Sequence, residues 1–279
     1  MGRSLQKYMR IIIVCSTMQY LSGSPLYNFT LAKELAKRGH QVSILSKWAV
    51  NSLLLELEDV GVKCIDKTEA EYDLAIVSQR NIPLPKAKKT IHVIHSEYEC
   101  ETPREGMEHY VAIRPSIKEH LIKEHNIPEN KIEVIYNGVD LERFKPIEKS
   151  EKDYFKVVIP ATLDSLRQKM FDYYWNKANK DYRVFIYGMK FNAIVQPNDY
   201  VQVFPEVSNI EEHIGDADLV AGILLGRVNL EARAMNVKSI IHNPENPEDA
   251  YEYYPDRKEF EEMHDIKNVA DKLLAYGTK

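Results

Sequence analysis

The sequence contains few cysteines and no long hydrophobic run. Cys15, Cys64 and Cys100 lie far apart, and none belongs to a CxxC pair that could hold zinc or exchange disulfides. The longest apolar runs, such as 11–15 and 219–225, are far shorter than the roughly 20 residues of a membrane-spanning helix. We therefore expect an unexported protein with no transmembrane segment, placed in the reducing cytoplasm.

Neither sign of charge dominates the chain. The 37 lysines and arginines nearly balance 42 aspartates and glutamates, so the formal net charge is −5 and no global basic field favours nucleic acid. A nucleic-acid acceptor would need a local basic patch, for which Lys86, Lys88 and Lys89 are the candidates. Such lysines more often form a solvated loop, so this acceptor is not favoured.

Three common catalytic or nucleotide-binding signatures are absent. The sequence has no GxGxxG, no lysine-containing P-loop and no GxSxG. Their absence removes the usual signatures of dinucleotide binding, of P-loop ATPases and of serine hydrolases. Hydrophobic residues make up 44% and charged residues 28% of the 279 residues, which is typical of an ordinary folded chain long enough for two domains.

The first half of the chain alternates between strand and helix patterns. A buried, β-branched run at 9–15 precedes a glycine loop and a helical pattern from Leu26 to Ala36 that ends at Arg38-Gly39. Ser116 is a plausible N-cap of a later helix. The other predicted strands are 41–45, 62–65, 74–77, 90–95, 110–113 and 132–136, and the other helices are 52–60 and 116–124. This alternation predicts a parallel, doubly wound sheet.

A turn-rich, charged stretch between Asn137 and Asp153 has the composition of a linker. We therefore predict an N-terminal domain at 1–147, a second α/β domain at 148–258 and a terminal helical region at 259–279. The charged terminal helix itself is predicted from about Arg257 to Tyr276. The predicted strands of the second domain are 155–159, 183–187, 201–204, 219–221 and 238–241, with helices at 167–177 and 229–236. Two open sheets of this kind bind ligands at the carboxyl ends of their strands, in a cleft.

Two loops lie between a strand and a helix, where free N–H groups and the helix dipole favour phosphate. The first contains Gly23 and Ser24, although Gly23-Ser24-Pro25 is equally well explained as a simple turn. The second begins at Gly226, and Glu231 in the helix that follows could accept hydrogen bonds from ribose hydroxyls. Glu231 is also explained as an acid favoured by the helix dipole.

Other candidate residues follow strands. His92 and His95 are three apart on a strand and face opposite sides, so they cannot share one metal. His95 stands at the carboxyl end of its strand, where a catalytic role competes with the commoner structural role of a lone histidine. Arg167 and Lys169 stand at a strand-to-helix junction and could hold a diphosphate, or be exposed helix charges.

Asp216-Ala217-Asp218 has the form of a DxD metal motif. It directly precedes the apolar strand at 219–221, so these aspartates more simply cap the preceding helix and start the strand. We therefore expect no metal site there.

Three separate passages carry a family resemblance. They are LAKELAKRGHQV at 31–42 after the glycine loop, IPENKIEVIYNGVD at 127–140 with Phe144 and Pro146 after it, and GRVNLEARAM at 226–235. These passages resemble the motifs of the GT-B glycosyltransferases, especially the retaining, nucleotide-sugar-dependent family 4 group. The resemblance covers most of the chain. It implies two Rossmann-like domains facing across a cleft, a compact second domain, and a terminal helix that packs back on the first domain.

The resemblance also implies site residues. His95 matches the catalytic histidine near the transferred sugar, Glu231 matches the glutamate that holds ribose, and Val207 lies where a backbone group meets the nucleobase. The donor-binding set that it implies is Gly23, Ser24, Arg167, Lys169, Val207, Gly226, Arg227, Asn229, Leu230 and Glu231.

Two departures from the family pattern concern the donor site. Ile223 replaces the first glutamate of the E-x7-E motif, and Gln168-Lys169-Met170 replaces the usual KG. The implied function is transfer of a sugar from a nucleotide diphosphate sugar, UDP by family habit, to an unknown acceptor hydroxyl. Configuration would be retained, and no metal or other cofactor is expected. The alternatives are a noncatalytic nucleotide-sugar-binding or scaffold protein of this fold and, third, a sugar-nucleotide epimerase.

Overall fold

The computed structural model describes residues 8–16, 18, 23–48, 51–79, 82–97 and 99–278, without the side chains of Asn51, Ser52 and Cys100. The described residues form two compact units. The first comprises those of 1–20, 24–138 and 261–279, and the second comprises those of 21–23 and 139–260. The boundaries predicted from the sequence lie nearby, at 147/148 and 258/259.

The first unit is built on a seven-stranded sheet in the order β3-β2-β1-β4-β5-β6-β7, with every described pair parallel. Residues 11–14, in an interior strand of this sheet, are completely buried, as expected for a β-branched strand covered on both faces. The elements are β1 Arg10–Val14, α1 Gly23–Lys37, β2 Gln41–Leu45, α2 Asn51–Asp59, β3 Lys63–Ile65, β4 Glu71–Val77, β5 Lys86–Ile94, β6 His109–Ala112, α3 Pro115–His125 and β7 Ile132–Val134.

Helix α3 begins one residue earlier than predicted. Its N-cap is Arg114, and Pro115 is the first helical residue, so the assignment of Ser116 as N-cap is wrong. Proline suits this position because the N–H that it lacks would have no partner inside the helix.

The second unit contains a six-stranded sheet in the order β10-β9-β8-β11-β12-β13, parallel except for the short antiparallel edge strand β13. Its elements are β8 Phe155–Pro160, α4 Gln168–Lys177, β9 Tyr182–Tyr187, β10 Val201–Phe204, α5 Ile210–Gly215, β11 Leu219–Ile223, α6 Arg227–Ala234, β12 Lys238–His242 and β13 Ala250–Tyr251. The predicted alternation of strands and helices is therefore confirmed in both units.

The C-terminal segment is two helices, α7 Arg257–His264 and α8 Ile266–Thr278, so the prediction of one terminal helix is wrong. The break falls at Asp265, whose carboxylate accepts a hydrogen bond from the backbone N–H of Lys267, 2.9 Å away, and so caps α8. Helix α8 packs against β4 and β5. The first residue of α8, Ile266, packs directly against Gly138. A Cβ added to Gly138 would lie 2.6 Å from the Ile266 side chain. None of the described helices has both the length and the apolarity needed to cross a bilayer.

Candidate functional site

His95 lies at the carboxyl edge of the first sheet. Strand β5 ends at Ile94, so His95 is the first residue beyond it, and only 8% of its surface is exposed. Its backbone N–H donates to the carboxylate of Glu101 over 3.1 Å. The ring packs edge-on against Tyr27 of α1, with the ring centroids 4.6 Å apart. The histidine is therefore held from both its main chain and its side chain.

Burial lowers the pKa of His95 below its ordinary value, because the charged imidazolium would be poorly solvated. The charge of Glu101 and the side chain of Asn137 act in the opposite direction but do not overcome burial. The ring is therefore neutral at pH 7, a state in which one nitrogen donates and the other accepts.

Three polar atoms are buried around this ring. His95 Nε2, the Tyr27 hydroxyl and Asn137 Oδ1 have no partner in good hydrogen-bond geometry among the described residues, and the Asn137 side chain lies close enough to the ring to raise its pKa as a hydrogen-bond partner. Buried polar groups are normally satisfied, so unsatisfied ones in a native protein need an explanation such as a missing ligand. A ligand hydroxyl can both donate and accept, and it would satisfy such groups.

His92 has different surroundings, as the spacing along the strand predicts. Its Nδ1 accepts a hydrogen bond from the backbone N–H of Arg104 over 3.1 Å, and its ring lies 6.3 Å from that of Tyr110. Burial lowers the pKa of His92 to about 3. His92 is therefore a neutral core histidine on the side of the sheet away from Tyr27.

Gly23 is the first residue of α1 and is exposed, and Ser24 beside it is half-buried. Among the described residues, no heavy atom lies within 4 Å of a Cβ built on Gly23, and the first turn of α1 contains no acid. An anion at this helix terminus would therefore meet no repulsion from an acid of the first turn. Residues 17 and 19–22 of the predicted loop lie outside the described residues.

In the second unit, Gly226 is the N-cap of α6 at the carboxyl edge of the sheet. The turn before it includes Leu224, which has a φ of 58°, a left-handed conformation that is uncommon outside glycine. The backbone N–H of Gly226 donates to the oxygen of Leu224 over 2.8 Å. A leucine held in this conformation indicates a loop whose shape is fixed by its surroundings.

Asn229 and Leu230, both predicted donor-binding residues, have side chains that are used inside the protein. Asn229 accepts from the N–H of Gly226 over 3.4 Å and donates to the Ser239 hydroxyl of β12 over 2.7 Å. Leu230 is buried in the hydrophobic core. The side chains of these two residues are therefore used inside the protein rather than offered to a ligand, and the backbone N–H of Asn229 donates to the oxygen of Gly226 over 3.2 Å.

Glu231 is buried and forms an ion pair with Arg227, one turn earlier in α6. Burial raises the pKa of Glu231, and the guanidinium groups of Arg227 and Arg143 oppose this effect. Arg143 also donates to the backbone oxygen of Ser208, next to Val207. Val207 packs against the same hydrophobic core as Leu230. The structure thus brings Arg227 and Glu231 together, and Arg143 links the charge of Glu231 to the backbone of Ser208, the residue after Val207.

The basic pair Arg167 and Lys169 lies at the start of α4. Arg167 pairs with Asp164, and Lys169 pairs with Glu245 at 2.7 Å. Arg167 is partly buried, whereas the Lys169 side chain is 55% exposed. Among the described residues neither cation contacts Glu231. Both stand beyond the carboxyl end of β8, which neighbours β11 in the sheet.

Ile223, at the position of the missing glutamate, ends β11 and is buried in the core of the second unit. Asp216 and Asp218 are bound by lysines: Lys156 Nζ lies 2.7 Å from Asp216 Oδ2, and Lys149 and Lys152 complete the cluster. Burial acts to raise the pKa of Asp216, but hydrogen bonds from Lys156 and from the hydroxyl and backbone N–H of Ser150, together with the charge of Lys156, hold it well below its usual range. Within the described part of the chain, no group of three or more His, Cys, Asp or Glu side chains is arranged to hold a metal ion.

Lys86, Lys88 and Lys89 open strand β5. Lys88 pairs with Asp73 at 2.7 Å, and Lys89 lies 3.7 Å from Glu108. Two of the three lysines of the candidate basic patch are therefore next to acids.

Sequence reasoning missed several residues of the two sites. Tyr27 and Glu101 carry no motif, and the sequence marks Asn137 only as part of the passage at 127–140 and as the start of the linker stretch, not as a site residue. Gly188 follows β9 directly, and a Cβ there would lie 1.8 Å from the backbone oxygen of Ala161. A glycine immediately after a strand is the one signal that could have singled out this close approach.

The comparisons with known proteins agree with this architecture. Residues 70–143 match the model of Glycosyltransferase Family 4. A sequence search of curated proteins found no match.

Solved structures resemble the chain over most of its length. A glycosyltransferase from Rickettsia africae is 17% identical with a TM-score of 0.63, and the match covers 85% of this chain and 79% of that one. HepE from Anabaena, in complex with UDP-glucose, is 12% identical with a TM-score of 0.68 over 96% and 99% of the two chains. WaaG, a glycosyltransferase involved in lipopolysaccharide biosynthesis, is 10% identical with a TM-score of 0.61 over 96% and 93%. The chain thus has the α/β fold of GT-B glycosyltransferases, with two Rossmann-like units, as predicted.

Proposed function

We propose that this protein is a glycosyltransferase that moves a sugar from a nucleotide diphosphate sugar to an acceptor hydroxyl. The donor is a UDP-sugar, the transferred group is a hexose, and the configuration at the anomeric carbon is retained without a metal ion. The match of residues 70–143 to the family 4 model carries this proposal. The fold shared with HepE, whose structure holds UDP-glucose, supports a nucleotide-sugar donor.

The second unit would bind the donor nucleotide. Glu231 would hold the ribose, the backbone at Val207 the base, and the N–H groups at the start of α6 the diphosphate. Arg227 lies against Glu231 and would keep that carboxylate ionised and oriented.

The chemical step requires stabilisation of the departing diphosphate. In the second unit, Arg167 and Lys169 would supply positive charge for this stabilisation. The N–H groups of Gly23 and Ser24 at the start of α1 are the other phosphate-binding groups that we propose. To do this, Arg167 must reach the diphosphate from its ion pair with Asp164. A diphosphate carries more charge than one carboxylate and would compete for the guanidinium.

His95 would orient the sugar or the acceptor hydroxyl through its unpartnered Nε2. Its neutral, partly enclosed ring suits hydrogen bonding to an uncharged hydroxyl better than binding of phosphate. The unsatisfied Tyr27 hydroxyl lies beside it and offers a second polar contact.

The test is release of UDP from UDP-sugars, measured with and without candidate acceptors, after a thermal-shift screen of UDP, GDP, ADP and their sugar conjugates without metal. Acceptor-dependent UDP release, with an anomeric linkage matching that of the donor in the NMR spectrum of the product, supports the proposal. A linkage of opposite configuration would contradict retention, and a strict metal requirement would contradict metal independence.

A noncatalytic nucleotide-sugar-binding or scaffold protein is the second candidate. The apolar Ile223 at the position of the first glutamate favours it, because a carboxylate that would support the donor sugar is lacking. A selective thermal shift with a nucleotide sugar but no UDP release with any acceptor would favour this candidate. An epimer formed without acceptor would instead indicate an epimerase.

A further inference from the structure

The first unit contains a second pocket that the proposed reaction does not use. It is an open pocket of about 640 Å³ lined by residues of 102–107, of 125–128, Leu84, Tyr110 and Lys131. Small-molecule sites are commonly about 300–1,000 Å³, so this volume is sufficient for a small organic ligand. All of its lining residues belong to the first unit.

The pocket lies on the face of the sheet opposite to the His95 ring. His95 packs against Tyr27 of α1, whereas His92, three residues earlier on β5, binds the backbone N–H of Arg104, which lines the pocket. Side chains three apart on a strand point to opposite faces. A ligand in this pocket would therefore not touch the His95 ring, so the pocket is a separate site.

The lining combines an apolar floor with basic groups. Met107 and Ile127 are almost fully buried, and Leu84 is 43% exposed at the rim. Arg104 and Lys131 bring two positive charges to the same pocket. The Arg104 guanidinium donates to the backbone oxygen of Ile82, and this neutral acceptor holds the side chain in place.

Cationic side chains outnumber acidic ones in the lining. Glu105 is the one acid among the lining residues, and it is exposed. Glu108 lies 3.7 Å from Lys89, and Glu129 pairs with Lys118 at 2.8 Å, so both of these nearby acids face lysines outside the lining. The lining therefore places two cationic side chains and one acidic one beside an apolar surface.

We propose that this pocket binds a small organic anion with an apolar body, the anionic head lying near Lys131 and Arg104 and the body on Met107 and Ile127. This site is independent of the proposed sugar transfer, and its test does not need transfer activity.

The experiment is a titration of the full chain with three probes, monitored through backbone amide NMR shifts. Octanoate has the anionic head and the apolar body, 1-octanol has only the body, and acetate has only the head. We expect octanoate to bind at least about fivefold more tightly than either of the other two. The largest shifts should fall at residues 102–107 and 125–131.

Two substitutions at exposed positions test separately how the pocket binds the anionic head and the apolar body of the ligand. Lys131→Glu should weaken octanoate binding about tenfold and leave 1-octanol unaffected, because reversal of one charge acts only on the head. Leu84→Asn should weaken both probes. Lys123→Glu, on α3 but outside the pocket lining, is the matched control and should change neither.

Three results would overturn the proposal: equal affinity for octanoate and 1-octanol, shifts that map elsewhere on the chain, or octanoate binding that Lys131→Glu leaves unchanged. Both positions are exposed, so loss of the fold is not expected, and the amide spectrum of each variant verifies this directly.

Discussion

Nδ1 of His264 lies 3.0 Å from the backbone oxygen of Asn137 and donates a hydrogen bond to it. Asn137 stands just before the chain leaves the first unit, and His264 just after it returns at residue 261. This hydrogen bond therefore connects the segment where the chain leaves the first unit with the segment where it enters that unit again. The His264 ring is fully buried and packs edge-on against Tyr136, with centroids 5.2 Å apart.

His264 should make the stability of the protein depend on pH. Burial lowers its pKa from 6.5 to about 4, so the unfolded chain takes up a proton on this ring at a higher pH than the native chain does. The contribution of His264 to the free energy of unfolding is complete above about pH 7 and is lost as the pH falls from about 6.5 towards 4. At pH 5 we expect a loss of about 2 kcal/mol from this group.

The measurement is urea unfolding of the wild type and of His264→Gln at pH 7 and pH 5. Glutamine has no titrating group, so the variant should be less stable than the wild type at pH 7 and lose about 2 kcal/mol less on acidification. His92, whose pKa is also lowered, is present in both proteins, and its contribution cancels in the comparison. An identical pH dependence in the two proteins would contradict the prediction.

His95→Ala should abolish transfer and spare donor binding. The side chain is expected to orient a hydroxyl, and misplacement of a reacting group costs about 100-fold in rate. We therefore expect kcat for transfer to fall at least about 100-fold while the Kd for UDP changes less than about threefold. His92→Ala is an unsuitable control because that ring is part of the core. His109→Ala serves instead, because His109 stands at the amino-terminal end of the neighbouring strand β6. Full activity of His95→Ala would remove the histidine from the mechanism.

Arg167→Ala should weaken donor binding. A hydrogen bond to a charged group contributes about 1.5–3 kcal/mol, so the Kd for UDP should rise about tenfold or more. Loss of the ion pair with Asp164 should cost little stability, because that pair is partly exposed to solvent. Lys180→Ala, an exposed cation in the same unit, is the control and should bind UDP as the wild type does. If calorimetry gives the same Kd for both variants, Arg167 does not hold the diphosphate.

Gly188→Ala should destabilise the second unit. The added Cβ would lie 1.8 Å from the backbone oxygen of Ala161, too close to be accommodated by a rotamer change, so the two strand ends must separate. Overpacking of this kind costs about 1–3 kcal/mol. Gly23→Ala is the matched control for stability, because no heavy atom of the described residues lies within 4 Å of a Cβ there. Thermal melts should show a lower Tm for Gly188→Ala alone, and equal melting temperatures would show that the backbone relaxes freely.

Strands were predicted more accurately than the ends of helices. The bounds of β2 and β10 agree with the predicted 41–45 and 201–204. Short apolar, β-branched runs are typical of buried strands, so the pattern itself marks where each strand begins and ends. The break at Asp265 was not predicted, because it depends on one cap and on the distant contact of His264 with Asn137. Such a contact joins residues far apart in the sequence and leaves no periodic signal.

The candidate site was predictable where a motif locates it. His95 and Glu231 stand beyond the ends of strands as expected, but their neighbours Tyr27, Asn137 and Arg143 come from other elements and only folding brings them near. The acids that pair with Arg167 and Lys169 could not be read from the sequence either. Asp164 is close in the chain, but Glu245 follows β12 and meets Lys169 only through the order of the sheet.

The hydrogen bond from the His95 backbone to Glu101 sets where the chain can tolerate insertions. It fixes the spacing of a six-residue stretch, because Glu101 must return to the amide at the end of β5. Residues inserted between His95 and Glu101 would keep this hydrogen bond only if they formed an extra loop. Otherwise the insertion would displace His95. Added residues after Glu101, at the exposed Glu105-Gly106 turn, leave the closure intact. Natural length variation in this region should therefore be concentrated on the carboxyl side of Glu101.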